Sequence, residues 1–124
     1  MSLASIDELR HPDALTHHVL DTGTARVIVI GDVHGCAFEL AALLAKCGYS
    51  RSSDVVILLG DLVNKGPHSI EVIRLAREQG LHAIAGNHEF IALQKWEIWK
   101  QTGVVPKPDE HGLTQTWTSS GNCP

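Results

Sequence analysis

An aspartate and a histidine one residue apart, Asp32 and His34, sit between two glycines in Gly31-Asp32-Val33-His34-Gly35. In a tight turn both side chains reach one cation, and an oxygen donor with an imidazole suits zinc, manganese or iron. A second loop, Gly60-Asp61-Leu62-Val63-Asn64-Lys65-Gly66-Pro67, adds the Asp61 carboxylate, whose two oxygens can bridge two cations. A third, Gly86-Asn87-His88-Glu89, offers the neutral carbonyl oxygen of Asn87 to the second cation. Asp32, His34, Asp61 and Asn87 thus form most of a two-metal cluster. Two cations about 3.5–4 Å apart activate water at neutral pH and clamp the oxygens of a phosphoryl group during in-line attack. His88, next to Asn87, is placed to protonate the departing oxygen, and Lys65 can hold the phosphate as a point charge. Taken singly these signals are weak, because an aspartate after a strand is most often a turn residue. The three loops together carry the reading.

What must position the loops is a repeated strand–loop–helix unit. Val27-Ile28-Val29-Ile30 is a β-branched run, too short for a helix and apolar on both faces, which predicts a central parallel strand. Leu40, Leu43, Leu44 and Cys47 then recur at helical spacing, with Gly48 as the stop. Val55 to Leu59 is the second strand, and Val72, Ile73 and Ala76 mark a second helix that ends at Gly80. His82 to Ala85 is the third strand. Ala92, Trp96 and Trp99 fall on one side of a third helix, as core or docking surface rather than a base-stacking platform, which would need a basic surround. The β-α-β-α-β order predicts an α/β fold with right-handed crossovers and a parallel sheet flanked by helices. The three polar loops then lie at the carboxyl ends of strands, where open α/β sheets place ligands. Residues 1–25 form an extension, with a short helix near Ile6 to Arg10 closed by Pro12. Residues 26–102 are the domain portion and 103–124 an irregular polar tail. His11, His17 and His18 have no partner at ligand spacing and are read as solvated or partly packed.

Composition narrows the class. A chain of 124 residues is one domain, and 44% hydrophobic with 19% charged residues describes an ordinary globular protein. A net charge of −4 gives no support for non-specific nucleic-acid or anionic-membrane binding. Cys36, Cys47 and Cys123 are an odd count without paired spacing, which argues against a disulfide framework or zinc knuckle, and Cys36 and Cys47 read as small apolar helix residues. With no apolar signal-peptide core and no run of spanning length, the expected location is cytoplasmic.

At these residues the chain resembles the calcineurin-like metallophosphoesterases, whose phosphoprotein phosphatase branch carries the motifs GDxHG, GDxVDRG and GNHE. The resemblance covers about Val27 to Glu97, and the three motifs together are highly specific. It implies a dinuclear site of manganese, iron or zinc on Asp32, His34, Asp61 and Asn87, with His88 as the acid. Where the protein phosphatases have Asp-Arg, this sequence has Asn64-Lys65, followed by Gly66-Pro67. That form is similar to the ApaH-like phosphatases, which points to nucleotide phosphoanhydrides such as diadenosine tetraphosphate, or to mRNA caps, with phosphoprotein as the other substrate class. Asn64 can accept a hydrogen bond from His88 but cannot stabilise an imidazolium by charge as aspartate would. Lys65 lacks the two-pronged grip of arginine.

The resemblance also implies two further histidines, and usually an arginine, from a second half of the domain. His68, His82 and His111 stand in no such motif. The expectation is a partial calcineurin-like fold, an N-terminal portion whose site is completed elsewhere. The competing class is a non-catalytic remnant or half-domain that binds a partner chain supplying the missing ligands. A dinucleotide-binding domain is a poor third, because no GxGxxG follows the first strand.

Overall fold

The computed structural model describes residues 17–104. The expected helix near Ile6 to Arg10, most of the 103–124 tail, His111 and Cys123 lie outside them. Strands and helices alternate as β1 (Arg26–Ile30), α1 (Ala37–Lys46), β2 (Asp54–Leu58), α2 (Ser69–Gln79), β3 (His82–Ala83) and α3 (Asn87–Thr102). The strands are parallel, in the order β1-β2-β3. Ile28 stands opposite Val56 and Ile30 opposite Leu58, with Ala83 on the other side of Leu58. β3 is shorter than the expected His82 to Ala85: it covers His82–Ala83, and the last bond to β2 runs from the Ile84 N–H to Leu58 O at 3.0 Å.

Strands that run in sequence order, joined by crossovers of one hand, place both connecting helices on one face. There Ala37, Leu40 and Leu44 of α1 and Val72 and Ala76 of α2 close on Val56 and Leu58, with Val33 and Leu62 arriving from the loops. Leu40/Leu44 and Val72/Ala76 are one turn apart and form the buried stripes, while Leu43 and Ile73 stand at the margins and stay partly exposed. Burying a side chain of this kind contributes about 1.5–3 kcal/mol. Both helices stop as expected. The Tyr49 N–H returns to Leu44 O at 2.9 Å and the Leu81 N–H to Ala76 O at 2.8 Å, around left-handed Gly48 and Gly80.

The opposite face differs. Val27, Val29, Leu59 and Ile84 alternate with the core positions and are 45%, 55%, 48% and 57% exposed. In the three-stranded sheet of the described residues β1 stands at an edge with one covered face, where a central strand was expected, and β2 takes the central place. Its β-branched composition suits two covered faces, but among the described residues only one is covered.

At the amino end of the sheet, the Arg26 guanidinium donates to both Asp54 carboxylate oxygens, at 2.9 and 2.8 Å, and to Cys47 O at 3.0 Å. Asp54 also accepts from the Ser50 N–H at 2.8 Å. The hydrogen bonds from Arg26, then the one from Ser50, hold the Asp54 carboxyl below its ordinary 3.8. Cys36 and Cys47 cap the two ends of α1 instead of lying within it. Cys47 is free, in line with the expectation, whereas Cys36 is disulfide-bonded, contrary to it. Trp96 and Trp99 lie ring to ring, with centroids 4.9 Å apart, and both are exposed, so they are not core. No described helix is long and apolar enough to cross a membrane.

Candidate metal centre

The three loops leave the carboxyl ends of the strands and are joined first by backbone. Val33 and His34 N–H groups donate to Asp61 O at 3.1 and 2.8 Å, and the Gly35 N–H to Leu62 O at 2.8 Å. In return the Gly66 N–H donates to His34 O at 2.7 Å. Such contact leaves no space for side chains. A Cβ on Gly35 would lie 2.6 Å from Gly66 O, and one on Gly86 would strike the Asp61 carboxylate and lie 2.5 Å from its backbone nitrogen.

All seven residues singled out in the sequence are brought together. A ring nitrogen of His34, a carboxylate oxygen of Asp61 and a ring nitrogen of His88 lie within 4.8 Å of one another. The two imidazoles meet edge to face, with centroids 4.8 Å apart. The His88 N–H donates to Asp61 Oδ1 at 3.1 Å, and the Asn87 amide, its nitrogen turned to Asp61, donates to the two carboxylate oxygens at 3.0 and 3.1 Å. Asp32 stands at the outer rim, 64% exposed, with Oδ2 3.4 Å from His34 Nε2. Lys65 Nζ lies 3.3 Å from the same nitrogen, and the Asn64 side-chain nitrogen 3.4 Å from His88 Nδ1. His88, read as a proton donor, contributes one of the three atoms of this group. His17, His18, His68 and His82 join no such group among the described residues.

These donors fit divalent cations of the first transition row. His34 Nδ1 is 3.3 Å from Val63 O, so its proton belongs on that nitrogen, and the Nε2 lone pair faces the Asp32 carboxylate. The Lys65 ammonium, 3.3 Å from Nε2, supplies positive charge beside these two acceptors. A ligating histidine typically has its far nitrogen tied in this way to a carbonyl.

Among the described residues, the non-glycine residues at positive φ are His34, Asp61, Asn64 and Lys65, at +46°, +51°, +69° and +69°. Each such conformation costs on the order of 1–3 kcal/mol and persists only where the surroundings over-determine it. All four carry candidate site side chains. The backbone strain of this structure is concentrated at the site.

One residue of the site carried no role in the sequence reading. Glu89 accepts from the N–H groups of Asp61 (2.7 Å), Leu62 (2.6 Å), Val63 (3.1 Å) and Gly86 (2.8 Å). The bond to Gly86 was foreseeable, since a glutamate at the third position of a helix commonly reaches back to the residue before it. The three bonds to the second loop had no local signal.

With this geometry in hand, the comparison with known proteins gives the class. The profile of the calcineurin-like phosphoesterases matches residues 25–122, and the chain belongs to that family. A symmetrical bis(5'-nucleosyl)-tetraphosphatase of Hamiltonella defensa subsp. Acyrthosiphon pisum (strain 5AT) is 49% identical over 63 residues, 49% of this chain and 23% of that protein. Serine/threonine-protein phosphatase 1 of Salmonella typhimurium (strain LT2) is 33% identical over 85 residues, 68% of this chain and 39% of that protein. A crystal structure reported as a candidate diadenosine tetraphosphatase superposes with a TM-score of 0.62 at 33% identity, over 79% of this chain and 45% of that one. The chain therefore spans well under half the length of these curated relatives.

Proposed function

We propose that residues 26–102 are the N-terminal portion of a metal-dependent phosphoesterase domain that hydrolyses nucleotide phosphoanhydrides such as diadenosine tetraphosphate. The observation that carries this reading is the meeting of ligand atoms from His34, Asp61 and His88 within 4.8 Å at the carboxyl end of a parallel sheet. Two divalent cations held there would supply activated water and neutralise charge at phosphorus. In this reading Asp32, His34, Asp61 and Asn87 are the ligands, with manganese, iron and zinc all suited to them. His88 gives a proton to the departing oxygen, and Lys65 draws the phosphate to the rim. Asn64-Lys65 and the relatives named as symmetrical bis(5'-nucleosyl)-tetraphosphatases support a nucleotide substrate. Capped RNA and phosphoprotein are the competing substrates, and the Salmonella relative supports the second.

Elemental analysis, followed by a manganese-dependent assay on diadenosine tetraphosphate, capped RNA and a phosphopeptide, tests the reading. Two metals per chain and turnover fastest on the dinucleotide support it. Turnover on the phosphopeptide alone would replace the substrate class. Chains without metal would sink the metal centre itself.

The exposed apolar face of Val27, Val29, Leu59 and Ile84 favours a second reading, in which the chain is a half-domain without turnover of its own. One metal or none, no hydrolysis, and association with a chain that supplies further ligands would select it.

A further inference from the structure

We infer that Glu89 is the positioning residue of this site, setting the Asp61 carboxylate in place by gripping the backbone on which Asp61 stands. The inference rests on the metal-centre reading, because the object positioned is the proposed bridging ligand.

Asp61, Leu62 and Val63 present three successive N–H groups to one side, and the Gly86 N–H adds a fourth from the other loop. Successive N–H groups of this kind form an anion-binding concavity. The Glu89 side chain occupies it, with Oε1 on Leu62 and Val63 and Oε2 on Asp61 and Gly86. One carboxylate therefore ties the second loop to the third. Bonds to an ionised acceptor are shorter and stronger than neutral ones, and those at 2.6 and 2.7 Å are among the shortest at the site.

What is gripped is strained. Asp61 is at φ +51°, a conformation that needs external support. Its carbonyl accepts from the Val33 and His34 N–H groups, and its carboxylate from the Asn87 amide and the His88 N–H. His88 and Glu89 are neighbours at the start of α3, so the helix holds Asp61 at both ends: Glu89 takes its backbone and His88 its side chain. Removing the Glu89 carboxylate takes the acceptor from the Asp61 N–H and leaves the helix holding Asp61 by its carboxylate alone.

Glu89→Gln keeps the shape of the side chain, removes its charge and turns an NH2 group against N–H donors. Glu89→Ala empties the concavity. Two readouts separate positioning from general stability. The first is hydrogen exchange at the His88 amide, which needs no metal, compared with the Val56 and Leu58 amides of the core. The second is manganese affinity from titration with the metal alone. We expect His88 exchange to rise in both variants while the core amides keep their protection, and manganese affinity to fall about 10–100-fold, as for residues that orient ligands. Unchanged His88 exchange in Glu89→Gln overturns the inference. Equal loss of protection at His88, Val56 and Leu58 overturns it too, because Glu89 would then be a general stabiliser. If the unsubstituted chain binds no manganese, the metal-centre reading fails, and the exchange data still decide whether Glu89 positions Asp61.

Discussion

The side-chain nitrogen of Asn64 lies 3.4 Å from Nδ1 of His88, and both residues are buried. An amide nitrogen only donates, so Nδ1 is the accepting nitrogen and the proton of the neutral ring belongs on Nε2. This reverses the direction expected from the sequence, in which Asn64 accepts. The tautomer it selects is one that can give up a proton from Nε2, as the proposed acid requires.

Asn64→Asp reverses the polarity of that contact. A carboxylate only accepts, so the proton of the neutral His88 ring should move from Nε2 to Nδ1. Nitrogen NMR shifts of the ring read the tautomer directly, and identical shifts for the two proteins would remove the contact.

Gly86→Ala tests the closeness of the second and third loops. Gly86 has extended backbone, φ −92° and ψ −176°, which any residue adopts. The cost is therefore steric, against the Asp61 carboxylate and backbone nitrogen. Overpacking of this kind costs about 1–3 kcal/mol. Gly31→Ala is the control, because nothing lies within 4 Å of its added Cβ. Urea denaturation of the pair should show loss of stability in the first and little change in the second.

Lys65→Ala addresses the phosphate. Loss of a hydrogen bond to a charged group costs about 1.5–3 kcal/mol, so binding of inorganic phosphate to the manganese-loaded chain should weaken roughly 10–100-fold. Phosphorus NMR titration measures it, and unchanged binding would place the anion elsewhere.

The acid limb of stability follows from Asp54. Its folded carboxyl lies below 3.8 through the bonds from Arg26 and Ser50. A carboxyl depressed in the folded state adds stability that is complete above its unfolded value and is lost as pH falls through the folded one. Thermal melts of Asp54→Asn and the parent should therefore differ most at neutral pH and converge as pH falls below 3.8 through the folded carboxyl's range. A constant difference across that range would contradict the linkage.

Most of the site was legible because its signals are local. Asp32, His34, Asp61, Asn87 and His88 each follow an apolar strand run within a few residues, and chain order alone sends them to the same end of a parallel sheet. Glu89 was not legible as a link between loops, since its partners in the second loop are backbone N–H groups 26 to 28 residues away. Backbone groups carry no residue type to recognise. The edge position of β1 was missed for a related reason. Val27 and Val29 announce an apolar face, but a strand's composition cannot say what lies against it.

The first turn of α3 holds Asn87, His88 and Glu89, which engage the Asp61 carboxylate, the Asn64 amide and the backbone of the second loop. The same helix runs on to Thr102, and 16 residues at about 1.5 Å each make a rod about 24 Å long. Its far half carries the exposed, mutually stacked Trp96 and Trp99. One continuous helix thus joins the three grips on the second loop to an exposed aromatic pair at its far half.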